Sequence, residues 1–402
     1  MLDMEIRTYS LSDVLTLIMD FRGKTPKKLG LDWSPDGDVA AISAKNIKHG
    51  QLVNMDKCHR GSVRLYKTWM KDGDLREGDL LLTSEAPLGE WYQVKAGDKF
   101  ILSQRTFALR PNPKIVDADY FASVVSSRHF QDVLHNFATG TTVMGIRQKT
   151  LLTVPIELPD IETQRKIGQV ISDLHAKVEL NQQINKSLLK LATMVFDNWV
   201  ENTKSETITS LDKIATYQNG IAMQKFPPID DNAVLPVLKI RELNQDCVDN
   251  NSDLVTSGVK ENVKVHDGDL IFSWSGTLIA KLWTGGDAAL NQHLFKVTST
   301  RYPRWFYYLW TLRHLREFQH IAADKKTTMG HIKRKDLTDA KVKIPSAEEF
   351  TQLDTILSPM IQQILNSGIE SKQLTQLRNI LLPKLLAGDI DLSKIETVMN
   401  NA

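Results

Sequence analysis

Clustered cations are the residues of this chain with the plainest chemistry. Lys24, Lys27 and Lys28 flank Pro26, and Lys325 and Lys326 precede His331, Lys333, Arg334 and Lys335. Such groups can neutralise phosphate, although a charged run taken alone is more usually a solvated surface. Thr141-Thr142 and Thr327-Thr328 add paired hydroxyls close to these cations. They suit either hydrogen bonding to a polyanion or capping of the helix that follows. Residues arranged for catalysis are not evident. Gly140 to Gly145 has the glycine spacing of a phosphate loop but continues into Ile146 rather than Lys and Ser or Thr. Phe226-Pro227-Pro228-Ile229 lacks the leading Asn or Asp of a base-flipping methyltransferase motif, and reads as a rigid turn. No zinc spacing or serine nucleophile elbow occurs. Acids sit in Gly-Asp turns such as Gly73-Asp74 and Gly97-Asp98, where they are expected to be structural.

Bulk properties leave those local clusters to carry any binding surface. The 402 residues carry a net charge of only +2, with 42% hydrophobic and 24% charged residues. That length suggests two to four domains. No apolar run is long enough for a membrane span, and the opening MLDMEIRTYSLSD has no signal-like apolar stretch. Cys58 and Cys247 are the only cysteines, which fits a reducing cytoplasm.

The elements that must position these residues come in two copies. Thr141-Thr142 recurs as Thr327-Thr328, Ile146 as Ile332, Lys149 as Lys335, Leu151 as Leu337 and Pro159 as Pro345, always 186 residues apart. Upstream, Gly78-Asp79-Leu80 recurs as Gly268-Asp269-Leu270, and Leu11 matches Leu211. The chain therefore reads as one mixed α/β unit and a helix, followed by the same pair again. Short apolar runs behind the Gly-Asp turns read as strands. Helical stretches are expected from Ala118 to Phe137 and from Trp305 to Ile321, the aromatics of the second forming core rather than a base-stacking platform.

The repeated helices carry coiled-coil patterning. Ile167, Ile171, Leu174, Val178, Leu188, Leu191 and Val195 fall at alternating steps of three and four residues. So do Leu353, Leu357, Met360, Ile364, Leu374, Leu377 and Leu381. Asn181 and Asn185 interrupt the first series, and Ser367 and Ser371 interrupt the second at the equivalent places. Antiparallel pairing would set the two polar breaks opposite each other, with Leu174, Val178, Leu188, Met360, Ile364 and Leu374 around them. About 38 residues at a rise of 1.5 Å make a rod of roughly 55–60 Å.

Further motifs follow the same order. They are Leu211-Asp212-Lys213-Ile214 with Gln218-Asn219-Gly220, and Leu235-Pro236-Val237-Leu238-Lys239-Ile240-Arg241-Glu242-Leu243. Others are Leu158-Pro159 with Glu162-Thr163-Gln164-Arg165-Lys166-Ile167, and the ending Leu381-Leu382-Pro383-Lys384-Leu385-Leu386-Ala387-Gly388-Asp389-Ile390. With these motifs and the repeat, the chain resembles the specificity subunit of type I restriction-modification systems. The second junction departs from the pattern, reading Ile344-Pro345-Ser346 and Phe350-Thr351-Gln352.

The resemblance implies an α+β fold: two mixed α/β target recognition domains, 1–157 and 204–344, joined by antiparallel coiled-coil helices, 158–203 and 345–402 with a C-terminal tail. Each domain would read one half of a bipartite, asymmetric site in double-stranded DNA, and the helices would set the unread spacer. Two DNA adenine methyltransferase subunits would dock on the helices, and restriction/translocase subunits would join them. S-adenosylmethionine, ATP and Mg would be bound by those partners, no cofactor by this chain, and the complex would be cytoplasmic. Candidate DNA-contacting residues are then Lys24, Lys27, Lys45, Asn46, Arg105, Thr141, Thr142, Arg147 and Lys149 in the first domain. In the second they are Lys225, Arg241, Ser273, Trp274, Gln292, His293, Lys326, Thr327, Thr328, His331, Lys333 and Lys335. A nuclease with diffuse acidic residues and a coiled-coil protein scaffold are the alternatives.

Overall fold

The computed structural model describes residues 5–71, 73–140, 142–229, 233–249, 251–324 and 330–390, except the Asp324 side chain. The chain forms two compact units, Met1–Ala176 with Gln376–Ala402, and Lys177–Thr375. Each unit holds one α/β head and a part of both long helices, so the division cuts through the helices rather than at their ends.

In the first unit, Gly78 takes a left-handed φ of +84° and turns the chain into the strand Leu80–Ser84. That strand pairs antiparallel with Leu88–Gln93 and Thr106–Pro111, and the latter pairs with Leu15–Asp20. Alternate residues of a strand point to opposite faces. Leu80, Leu82, Phe107 and Leu109 therefore enter one core with Tyr120 and Phe121, while Leu81 and Ala108 enter another with Ile42, Trp69 and Ile101. Burial on both faces explains why these strands read as unbroken apolar runs. Val39–Ile42 lies parallel to Phe100–Leu102 in a second small sheet. Arg7–Ser10 pairs with Pro155–Leu158 and so joins the head's two ends.

The second unit repeats this topology. Leu270–Ser273 pairs with Ala280–Leu282 and with Leu294–Thr298, which pairs with Thr216–Asn219. Val234–Leu238 lies parallel to Ala288–Leu290, and Ile208–Ser210 pairs with Lys341–Lys343. The aromatic helix Arg304–Asp324 buries Trp305, Phe306, Tyr308 and Trp310 in the head's core, as its composition suggests. Its counterpart in the first unit is broken into Ala118–Ser126 and Arg128–Asn136, because Ser127 is extended and caps the second piece.

The long helices run Ile161–Asn202 and Ala347–Leu386. Asp160 opens the first by accepting from the backbone N–H of Glu162 and Thr163, at 2.9 and 3.0 Å. Ser346 and Glu349 open the second as a reciprocal cap. The Ser346 N–H and the Thr203 hydroxyl hold the Glu349 carboxyl down at about 2. Glu349 also accepts from Trp199 Nε1 at 3.1 Å, so within the second unit the second helix starts where the first ends. Farther along, Asn185 Nδ2 donates to Ile364 O at 3.1 Å and Asn181 Nδ2 to Glu370 at 2.8 Å and Ser367 O at 3.4 Å. In the first unit Arg378 lies 3.2 Å from His175 Nε2. Pairing is antiparallel in both units. Asn181 and Ser367 are buried, but the asparagines reach backbone carbonyls and Glu370 rather than the serine hydroxyls, and Ser371 turns back to its own helix at Ser367 O.

The heptad seam does not hold throughout. Leu191 and Leu377 are 45% and 44% exposed, while Ala192, Phe196, Ile361, Leu365, Leu382 and Leu385 are buried. A straight helix drifts about 20° per heptad against a 3.5-residue repeat. The buried stripe also widens where each helix enters a head's core, as Phe196 and Trp199 do against Trp305 and Trp310. The departure at the second junction has a packing cause. Gln164 is buried, accepts from the Asp117 N–H at 3.0 Å and donates to Ile115 O and Pro159 O. Phe350, 186 residues later, instead packs on Tyr302, Trp305 and Phe306.

Candidate nucleic-acid interface

In each head three loops at one end of the sheet built around Leu80–Ser84 or Leu270–Ser273 are tied together by the same backbone contacts. In the first head the Ser84 N–H donates to Arg105 O at 2.8 Å, the Ile146 N–H donates to Ser84 O at 2.9 Å, and Glu85 bridges to Gly145. In the second head the Trp274 N–H donates to His293 O at 3.3 Å, the Ile332 N–H donates to Trp274 O at 3.1 Å, and Ser275 bridges to His331. These contacts equate Ser84 with Trp274, Glu85 with Ser275, Arg105 with His293 and Gly145 with His331. The backbone scaffold is shared, and every one of those four side chains differs.

The chemistry offered by the two loop ends differs accordingly. The first end is ionic. Arg105 Nε lies 3.1 Å from Glu85 Oε1, and both side chains are close to half exposed. Arg22 pairs with Asp20, lies 4.6 Å above the Phe107 ring and donates to Ile146 O. The second end is aromatic. Trp274 packs against His293, Phe295 and His331, with centroids 6.0, 5.8 and 6.4 Å away. Gln292 is exposed and its amide lies 3.3 Å from His293 Nε2. Arg334 lies 5.7 Å from the Phe295 ring and donates to Tyr217 O. Trp274 Nε1 and His293 Nδ1 are buried with no hydrogen-bond partner among the described residues.

The residues singled out from the sequence fall in different places on the heads. Arg105, Thr142, Trp274, Gln292, His293 and His331 gather at the loop ends, and Arg147, Lys149, Lys333 and Lys335 stand exposed on the segments that follow. Lys27, Lys45 and Lys225 are exposed elsewhere on the heads, and Lys24 is half-buried, donating to Trp69 O. Asn46 and Ser273 are corrections, while Arg241 keeps a side chain that is 45% exposed. Asn46 is buried, with its amide bonded to Ser43, Val53 O and Asn54 O. Ser273 is buried and donates to Ser275 O. Arg241 is held by Glu242 and Asp249. Thr141, Lys326, Thr327 and Thr328 lie outside the described residues. The helices that follow are capped at Arg147 and Lys333, not by Thr142.

Ser84, Glu85 and Gln104 were missed. Extending the match from Gly78-Asp79-Leu80 and Gly268-Asp269-Leu270 along the strand would have aligned Glu85 with Ser275. Matching Phe107 to Phe295 would have aligned Gln104-Arg105 with Gln292-His293. Among the described residues no group of three or more His, Cys, Asp and Glu side chains is placed to hold a metal ion, and no helix is long and apolar enough to cross a membrane.

Two copies of a single family model, the type I restriction modification DNA specificity domain, match residues 3–190 and 204–377. The chain belongs to that family. The MjaIX specificity subunit of Methanocaldococcus jannaschii, a type I restriction enzyme component, is 23% identical over 93% of this chain and 91% of its own length. The HindI specificity subunit of Haemophilus influenzae is 27% identical over 31% of this chain and 28% of its own. The crystal structure of the type I restriction-modification S subunit from M. genitalium shares the fold, with a TM-score of 0.54 at 12% identity over 96% of each chain. Two family domains in one chain account for the repeated sheets and the repeated junctions.

Proposed function

We propose that this chain is the DNA-reading specificity subunit of a type I restriction-modification complex and supplies the address without doing the chemistry. Each head reads one half of a bipartite, asymmetric site, and the helices set the spacer and dock two DNA adenine methyltransferase subunits. S-adenosylmethionine, ATP and Mg act on those subunits and on the restriction subunits that join them. The observation that carries this reading is the pair of loop ends, alike in backbone and unlike in side chain. Sequence-specific binding needs a fixed frame for phosphate contacts and variable side chains for base edges. One frame holding Arg105 and Glu85 in one head, but His293 and Ser275 in the other, matches two different half-sites.

The test is an activity assay of the purified chain with S-adenosylmethionine, ATP and Mg, alone and with modification subunits. The chain alone should give no methylation and no cleavage. With modification subunits it should direct methylation to a split sequence. Robust turnover by the chain alone would contradict the proposal.

A further inference from the structure

We propose that Arg105 reads a guanine in the half-site of the first head, with Glu85 as its positioning residue; this rests on the DNA-reading function above. Arg105 stands at the turn into the strand Thr106–Pro111 with φ +64°, a left-handed conformation uncommon outside glycine. The Ser84 N–H fixes its carbonyl at 2.8 Å, so the backbone that aims the side chain is pinned to the neighbouring strand. The side chain is 49% exposed, so a ligand can reach it.

Glu85 steers the guanidinium. Its Oε1 lies 3.1 Å from Arg105 Nε, on the edge nearest the stem. A carboxylate there orients the plane of the fork, whose terminal nitrogens carry the paired N–H groups that suit O6 and N7 of guanine in the major groove. Glu85 is itself held by its bridge to Gly145, where an added Cβ would come within 3.1 Å of the Glu85 Cβ. The glycine therefore allows the loop to press directly on the positioning residue.

The second head lacks both members of the pair. His293 stands where Arg105 does, Ser275 where Glu85 does, and His331 where Gly145 does. An imidazole has no two-nitrogen fork. Guanine reading by this Arg–Glu pair is therefore confined to the first half-site.

The experiment uses the complex assembled with modification subunits and DNA libraries randomised in each half-site, at fixed salt. Arg105→Lys should keep its charge and lose the fork. Discrimination at one G·C pair of the first half-site should fall roughly tenfold or more, with the second half-site and the salt dependence unchanged. Glu85→Gln should weaken the same position by a smaller factor. A uniform loss of affinity with no relaxed position would make Arg105 a phosphate contact and overturn the proposal. A relaxed position lacking guanine, or no change at all, would also overturn it. If the lysine variant fails to fold, the reciprocal exchange decides. Trp274→Ser, Ser275→Glu and His293→Arg together should add a guanine preference to the second half-site, and a folded triple variant without one would count against the proposal. A wild-type complex with no sequence preference would instead overturn the DNA-reading function itself.

Discussion

Asp79 and Asp269 do the same work in the two heads with different cations. Asp79 accepts from the Arg76 N–H at 2.8 Å and pairs with Arg110 at 2.7 Å. Asp269 accepts from the His266 N–H at 2.8 Å and pairs with Lys296 at 2.8 Å. The acids of Gly73-Asp74 and Gly97-Asp98 are engaged too, by Tyr66 and Tyr92. Their structural role was legible because a Gly-Asp turn is a local motif. The burial of Asn46 and Ser273 was not legible, because it depends on what the fold lays over them. Asp79→Ala strands the largely buried Arg110 and should destabilise the first unit by about 3 kcal/mol in urea denaturation. Lys333 and Lys335 are exposed beside the second loop end. Changing both to Ala should lower the salt slope of DNA binding by up to about two, without changing the preferred sequence. An unchanged slope would remove them from the phosphate contacts. His175 titrates at about 4, held down first by burial and then by the charges of Arg378 and Lys95. Unfolded, it takes a proton near pH 6.5. The unfolded chain therefore binds more protons between those values, and stability should be full above pH 6.5 and decline as pH falls toward 4, by roughly 3 kcal/mol. Denaturation at pH 7.5 and pH 4.5 should show that decline in the wild type and lack this contribution in His175→Asn.

At the scale of elements, the two helices and their polar break were readable from periodicity alone, since 186 residues separate every matching position. The seam was readable only where helix meets helix. Near the heads the partner is a sheet or the aromatic helix, and a heptad rule has no knowledge of it. Asn181 is the clearest test of the break, because its amide is buried and donates to Glu370 across the pair. Asn181→Ala should cost about 1–2 kcal/mol, measured by chemical denaturation, while Leu377→Ala, at an exposed position, should cost far less. On the proposed function the helices also set the unread spacer. One heptad inserted in each, near Asn185 and near Ile364, adds about 10 Å. The preferred spacer should then grow by roughly three base pairs, with both half-sites as before. A changed half-site, or an unchanged spacer in an active complex, would contradict that role.

At the scale of the whole chain, duplication explains why one sequence holds two sheets of identical strand order and two sets of loop ends. Repetition was visible because glycines, prolines and core residues must recur wherever the backbone recurs. The proposed reading residues were harder to find for the opposite reason: on the proposed function the two sets differ, so no match marks them. The alignment of Arg105 with His293 through Phe107 and Phe295 is supported by their carbonyls, which accept from Ser84 and Trp274. On the proposed function each head reads one half-site independently of the other. Methylome sequencing tests it most directly, in a host carrying this chain with its modification subunits. The comparison is the same host with residues of about 10–150 replaced by the corresponding head of another family member. The expected result is a split methylated sequence in which one half changes while the other half and the spacer stay the same. A change in both halves, or the loss of any defined sequence while methylation continues, would contradict it.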